Sequence, residues 1–181
     1  LPVVKVDDRR ATYNAVTYLI SKGYKNIAYS TGGTFEQKGH GSRRNQGFID
    51  AMQAGKRDIN PALIFRQMHT YKDGQGLAAK MLQMAASERP DAIFAGSDEV
   101  ACGLIAGLTA GGVNVPADLA VVGFDNLPVA EMINVPLTTV SQPIEQLGRI
   151  SVERLLALIS GTRYQYDEQD LHSELIIRAS A

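Results

Sequence analysis

The stretch DAIFAGSDEVACGLIAGLTAGGVNVPADLAVVGFDN, residues 91–126, contains two short apolar runs separated by a helical pattern. DAIFA and LAVVGF are continuously apolar, which is typical of strands that are buried on both faces. Between them, residues 100–110 have the apolar spacing of a helix, and Gly111-Gly112 follows as a stop signal. A strand, a helix and a second strand in this order predict two parallel strands with the helix packed across them.

The same alternation continues along the whole chain. Further strands are predicted at PVVKV, NIAYST, ALIFR, LTTV and ELIIR, and further helices over residues 8–22, 44–55, 74–87 and 144–159. This pattern predicts the α/β fold class, with a doubly wound parallel sheet that is covered by helices on both faces. The 181 residues are enough for one large domain or for two small lobes.

The composition is that of an ordinary globular protein, with 45% hydrophobic residues and a net charge of −1. This charge is too small for binding by phosphate neutralisation, so if the protein acts on DNA, the contacts lie outside these residues. Cys102, the one cysteine, excludes an internal disulfide and is predicted to lie in the core. No apolar run has the length of a membrane span. Because Leu1 begins inside a predicted strand, we expect the sequence to be part of a longer protein.

Polar residues follow the predicted strands, where ligands bind in an open parallel sheet. They are Arg43 and Arg44 after NIAYST, His69 after ALIFR, Ser97 and Asp98 after DAIFA, Asp125 and Asn126 after LAVVGF, and Ser141 and Gln142 after LTTV. A carboxylate accepts hydroxyl protons and a guanidinium donates a fork of hydrogen bonds, so this set suits a hydroxyl-rich ligand.

Each of these residues also has an interpretation without a ligand. Asp125, Ser97 and Asp98 are all placed where a residue caps a following helix, and adjacent arginines commonly form a solvated face. Catalysis is not indicated, because the chain contains neither a G-x-S-x-G motif nor the His and Cys spacing of a zinc site. We therefore predict a binding protein rather than an enzyme, without a cofactor or a metal.

Several motifs, in order and at matching spacing, resemble the LacI/GalR family of bacterial transcriptional regulators. SRRNQGFIDAM is similar to the family's R-x-x-G-F-x-x-A segment. Residues 91–126 are similar to P-x-A-(I/V)-F-x-x-(N/S)-D-x-x-A-x-G, followed by G-x-x-(V/I)-P-x-D-(L/I)-x-(V/I)-(V/I)-G-(F/Y)-D-(N/D). PLTTVSQPIEQLG and the final ELIIRAS also match, so the resemblance covers nearly the whole chain.

The resemblance implies a two-lobed core like that of periplasmic binding proteins, with an effector held between the lobes. Residues 1–25 would be a remnant of the N-terminal lobe, and residues 26–140 would form the C-terminal effector-binding lobe. Residues 141–161 would be a helix that returns to the N-terminal lobe, and residues 162–181 would cross back.

The resemblance also implies effector contacts at six positions: Arg44, His69, Ser97, Asp98, Asp125 and Gln142. Arg44 and Asp125 match the arginine and the acidic residue that hydrogen-bond the effector from opposite loops. His69 stands where an aromatic residue often stacks on the ligand. Ser97 stands where many members have Asn.

The implied partners are a small-molecule effector, expected to be a sugar, and operator DNA. The DNA would be bound through an N-terminal helix-turn-helix headpiece that is absent from these residues. A homodimer is expected, with Leu104, Ile105 and Leu108 as candidate interface residues, although the same three can simply pack on the sheet. The expected location is the cytoplasm. A periplasmic sugar-binding receptor is the alternative, and an enzyme of flavodoxin-like fold is less favoured.

Overall fold

The apolar runs form one sheet in the computed structural model, which describes residues 3–33, 35, 40–161 and 171–181. Within these ranges the strands are β1 (Ile27–Ser30), β2 (Ile64–Phe65), β3 (Ala92–Ala95), β4 (Ala120–Asp125), β5 (Thr138–Ser141) and β6 (Glu174–Ile176). The helices are α1 (Asp8–Ser21), α2 (His40–Ala54), α3 (Tyr71–Gln83), α4 (Asp98–Ala110), α5 (Val129–Met132) and α6 (Ile144–Ser160), with a 3-10 turn over Pro61–Leu63. No helix in the described ranges is both long and apolar enough to span a bilayer.

The strand order is β2-β1-β3-β4-β5-β6, and all neighbours are parallel except β5 and β6. The first five strands have the order of a doubly wound sheet, in which the direction of winding reverses between β1 and β3. The predicted α/β fold class with a parallel-dominated sheet is therefore confirmed.

Helices cover both faces of the sheet because the central strands are apolar on both sides. Helices α3 and α4 pack with Ile93 and Val121 on one face, and α1 and α2 pack with Phe94 and Val122 on the other. Cys102 is buried in α4, as predicted. The apolar cores on the two faces hold the parallel strands in place, and the carboxyl ends of these strands lie at one edge of the sheet.

Helix α1, which the prediction assigned to a remnant of the N-terminal lobe ending at residue 25, packs against the sheet and α2. Ala15, Val16 and Leu19 are fully buried in the core formed with Phe48 of α2 and Tyr29 of β1. The helix therefore packs with the body formed by residues 26–140. The sequence pattern gave no sign of this, because an apolar helix face does not reveal which sheet it covers.

The segment before α1 contacts α6 and the C-terminal part of the chain. Arg154 of α6 donates a hydrogen bond to the carbonyl of Val3 at 2.8 Å. Val6 forms an isolated parallel bridge with Leu171, where the sequence predicts a full strand at PVVKV. These contacts group α6 with residues 3–6 rather than with the sheet.

The C-terminal residues return to the sheet. β6 pairs antiparallel with β5, and the Ser180 hydroxyl donates to the Val121 carbonyl and accepts from the backbone N–H of Thr138 at 2.8 Å. Residues 162–170, the first part of the predicted crossing segment, lie outside the described residues.

Candidate functional site

Polar side chains meet at the carboxyl ends of β1, β3, β4 and β5. We call Asp8, Arg44, Phe124, Asp125 and Gln142 the strand-end site. Arg44 comes from α2, Asp8 is the first residue of α1, and the other three come from the ends of β4 and β5. The site lies where the winding direction of the sheet reverses, which is the usual ligand position in this architecture.

Arg44 is held by three different contacts. Its Nη1 donates to the carbonyl of Gly96 at 2.7 Å, and its Nε lies 3.3 Å from Oδ2 of Asp8. The guanidinium carbon lies 3.7 Å from the centroid of the Phe124 ring, which is a close cation–π contact. With 23% of its side chain exposed, Arg44 combines a fixed orientation with access to solvent.

Asp125 is the last residue of β4. Its Oδ1 accepts a hydrogen bond from Nε2 of Gln142 at 2.6 Å, so the structure brings these two predicted residues together. Burial raises the pKa of Asp125, while the charge of Arg44 and the hydrogen bond from Gln142 oppose that increase. A half-buried carboxylate with a fixed amide partner is a directional acceptor for a ligand hydroxyl.

The backbone at Asp125 and Asn126 has an unusual conformation. The φ angles are 122° at Asp125 and 58° at Asn126, in a region that non-glycine residues seldom adopt. The Asn126 amide donates to Ser141 Oγ at 3.2 Å and accepts from Arg178 at 2.9 Å. Asn126 therefore fixes the turn after β4.

Asp98 does not take the position that the sequence suggests. It is fully buried, with Oδ1 accepting from the Thr139 hydroxyl at 2.5 Å and Oδ2 accepting from the Leu127 N–H at 2.7 Å. Burial raises its pKa to about 6, and both hydrogen bonds oppose that increase. The carboxylate therefore points into the fold rather than toward the rim of the sheet, where a direct effector contact was predicted.

Ser97 is the N-cap of α4, and its hydroxyl accepts from the backbone N–H of Val100 at 3.4 Å. This is the capping role that the sequence left open beside ligand binding. Ser97 is nevertheless partly exposed at the end of β3, next to the Gly96 carbonyl that Arg44 contacts.

His69 is exposed and lies over the end of β1. A Cβ atom added at Gly32 would come within 2.9 Å of its Cε1, which shows how closely the imidazole covers this backbone. Its backbone N–H donates to Asp73, and this hydrogen bond is the main cause of the lowered pKa of Asp73. His69 thus lies at the same edge of the sheet as the strand-end site.

Asp8 and Phe124 are site residues that the sequence analysis did not identify. Asp8 is only 5% exposed and forms the ion pair with Arg44. Its signal was its place beside Asp7 directly after the predicted strand PVVKV. In the structure that segment forms only an isolated bridge, and Asp8 opens α1 instead. Phe124 was predicted as a strand residue, and its contact with Arg44 depends on the packing of α2.

The candidate dimer residues are also corrected. Leu104, Ile105 and Leu108 are at most 3% exposed and belong to the core between α4, α3 and the sheet. They cannot form a surface while the domain is folded. The alternative interpretation, packing on the sheet, is the one that the structure supports.

The family model described as a periplasmic binding protein-like domain matches residues 16–181. The chain is 35% identical to catabolite control protein A of Priestia megaterium, over 86% of this chain and 46% of that protein. It is 36% identical to the HTH-type transcriptional regulator DegA of Bacillus subtilis, over 99% of this chain and 52% of that protein. The chain therefore spans about half the length of these curated relatives.

A similar fold is seen in the crystal structure of a LacI family transcriptional regulator from Lactobacillus casei with bound glucose. The TM-score is 0.89 at 40% identity, covering 97% of this chain and 63% of that one. Structures of the L. casei regulator with bound sucrose and with bound TRIS match similarly, with TM-scores of 0.90 and 0.88.

This chain belongs to the periplasmic-binding-protein-like domain family. Within it, the chain is an effector-binding domain of the LacI/GalR type, as its motifs indicated. The relatives described above are transcriptional regulators, so the comparison does not favour the alternative of a periplasmic receptor.

Proposed function

We propose that this domain senses a small sugar or a related hydroxylated metabolite at the strand-end site. The observation that carries the proposal is the placement of Arg44, stacked on the Phe124 ring, and of Asp125, hydrogen-bonded to Gln142, at the carboxyl ends of neighbouring parallel strands. The glucose and sucrose bound to the L. casei regulator support this ligand class.

Each polar residue has a role in this proposal. Arg44 donates hydrogen bonds to ligand oxygens, and Asp125 accepts hydrogen bonds from ligand hydroxyls. Gln142 orients Asp125 through their 2.6 Å hydrogen bond and presents its own carbonyl oxygen nearby. His69 and Ser97 border the ligand from the ends of β2 and β3.

The charges of the described site favour an uncharged ligand. Two carboxylates, Asp8 and Asp125, lie close to the single guanidinium of Arg44. A phosphate group would be repelled by this negative surplus, whereas sugar hydroxyls can satisfy both donors and acceptors. A neutral sugar is therefore preferred over a sugar phosphate.

In a complete regulator, the effector would act by binding one arrangement of two lobes better than another. The exposed apolar side chains of α6, including Leu155, Leu156 and Ile159, would pack against the rest of the second lobe. The arrangement of the lobes would in turn control operator binding by a helix-turn-helix headpiece in the cytoplasm.

A homodimer is part of this proposal, on a different surface from the one predicted. Val129 and Met132 lie three residues apart on α5, and 38% and 81% of these residues are exposed. Residues at this spacing share one side of a helix. We place the dimer contact on this α5 patch, because covering an exposed pair of apolar side chains removes their apolar surface from water and so stabilises the contact.

Titration calorimetry with glucose and with sucrose tests the ligand assignment. We expect Arg44→Ala and Asp125→Asn each to weaken binding about 10- to 100-fold, as for the loss of a hydrogen bond to a charged group. Circular dichroism should show an intact fold for both variants.

Two matched variants serve as controls. Arg149→Ala removes an exposed guanidinium on α6, and Asp118→Asn changes an exposed carboxylate near the start of β4. Both should bind the sugars like the unmodified protein. Unchanged affinity in Arg44→Ala and Asp125→Asn, where the unmodified protein binds, would remove these residues from the site.

A further inference from the structure

We propose that Asp98 is a positioning residue, which fixes the turn after β4 so that Asp125 faces the ligand. The inference rests on the proposed function for its consequence, the loss of ligand affinity. Its structural basis, the hold of Asp98 on the turn, is independent of any ligand.

Asp98 connects three elements from a fully buried position. It begins α4, its Oδ1 accepts from Thr139 of β5, and its Oδ2 accepts from the backbone N–H of Leu127. A buried carboxylate is costly unless hydrogen bonds satisfy it, so this arrangement needs both partners. Asp98 thereby ties the backbone two residues after Asp125 to the interior of the domain.

The turn that Asp98 holds is strained. Asp125 and Asn126 both have positive φ angles, and such conformations persist only where the surrounding structure determines them. Arg178 and Ser141 hold the side chain of Asn126, whereas Asp98 holds the backbone at Leu127. Without the carboxylate, the partly buried N–H of Leu127 would lose its partner, and the turn could relax.

Gly123 independently supports the fixed position of the Asp98 carboxylate. A Cβ atom at this residue of β4 would overlap Oδ1 of Asp98, so the strand leaves room for the carboxylate by having no side chain there. The φ angle of Gly123 is not positive, so its backbone conformation does not require glycine. A larger residue is excluded because its side chain would occupy the space of the Asp98 carboxylate. The strand that ends in Asp125 and the carboxylate of Asp98 are thus fitted to each other.

The test compares Asp98→Ala, Asp98→Asn and Leu108→Ala. Leu108→Ala removes buried packing from the same helix, several helical turns away from Asp98. It therefore reports the effect of destabilisation alone. We expect Asp98→Ala to weaken glucose or sucrose binding about tenfold or more, because the carboxylate of Asp125 loses its fixed direction. Asp98→Asn keeps one acceptor oxygen and should show a smaller loss, and Leu108→Ala should bind normally.

A second measurement needs no ligand. In both Asp98 variants, the amide resonance of Leu127 should shift, and in Asp98→Ala its hydrogen exchange should accelerate about tenfold or more relative to Ile93 of β3. If Asp98→Ala does not fold, Asp98→Asn alone decides through the Leu127 resonance and the smaller loss of affinity.

The outcomes separate the two hypotheses. A protein that binds neither sugar contradicts the proposed ligand, and the Leu127 amide then decides on Asp98 alone. An unchanged Leu127 amide in both Asp98 variants overturns the positioning role. So does an affinity loss in Asp98→Ala no larger than that in Leu108→Ala, provided that the unmodified protein binds.

Discussion

At the scale of single residues, Asp98 and Asp125 show how differently two carboxyls near the strand ends are surrounded. Burial raises the pKa of both carboxyls. Asp125 has Arg44 and Gln142 as neighbours and remains partly exposed, whereas Asp98 is enclosed by Thr139 and the backbone of Leu127. One carboxylate can therefore meet a ligand, and the other holds the chain.

The raised pKa of Asp98 predicts a pH dependence of stability. Because its folded pKa is about 6, against a reference value of 3.8, the folded protein binds this proton more tightly than the unfolded chain. The charged form of Asp98 thus opposes folding above about pH 6, and protonation relieves this cost as the pH falls toward 4. By linkage, Asp98 should add about 1 kcal/mol to the free energy of unfolding on going from pH 7.5 to pH 5.

Urea denaturation at both pH values, for the unmodified protein and for Asp98→Asn, checks this expectation. Every other pH-dependent contribution is common to both proteins and cancels to a first approximation. The gain in stability at pH 5 should be larger in the unmodified protein. Equal gains would show that Asp98 does not titrate in this range.

At the scale of helices and strands, much of the domain follows from the sequence because its strands are short and apolar throughout. The carboxyl ends of parallel strands share an edge, so Arg44, Asp125 and Gln142 were predicted at one place. The same rule selected Asp98, because it does not distinguish a residue that faces the rim from one that faces the core. That difference arises from the packing of α4 beside β5.

Other features depended on tertiary packing and had no signal in the pattern. The apolar faces of α1 and α4 predicted that both helices pack against something, but not which sheet α1 covers or that Leu108 is fully enclosed. The ion pair of Asp8 with Arg44 depends on the packing of α1 against α2. Each of these outcomes depends on neighbours that are distant in sequence, and propensity and periodicity contain only local information.

The close approach of α3 and α4 gives a prediction at this scale. A Cβ atom at Gly103 of α4 would overlap the backbone carbonyl of Tyr71 at the start of α3. Gly103→Ala should force the two helices apart and lower the free energy of unfolding by about 1–3 kcal/mol, the usual cost of overpacking. Thermal and urea denaturation provide the measurement.

Gly76 of α3 is the matched control. A Cβ atom there meets no atom within 4 Å, so Gly76→Ala adds only helix propensity. We expect this variant to gain about 0.5–1 kcal/mol in the free energy of unfolding. A Gly103→Ala variant as stable as the unmodified protein would show that the helices separate without cost.

At the scale of the whole molecule, two groups of exposed apolar side chains need a partner for different reasons. The α6 group includes Leu155, Leu156 and Ile159, and this helix is tied to residues 3–6 rather than to the sheet. The α5 patch, Val129 and Met132, lies on the body formed by the sheet and its helices. We propose that the α6 group packs against the second lobe and that the α5 patch forms the dimer contact.

Sedimentation equilibrium of single variants distinguishes these assignments. Met132→Asp places a charge in the α5 patch, so it should weaken the dimer at least about tenfold, because a buried unpaired charge is costly. Ile159→Asp places the same charge in the α6 group and should leave the dimer constant unchanged. Since Met132 is 81% and Ile159 is 74% exposed, neither change should alter the stability of the domain itself by more than about 0.5 kcal/mol. Dissociation in Ile159→Asp, with a normal dimer in Met132→Asp, would move the dimer contact from α5 to α6.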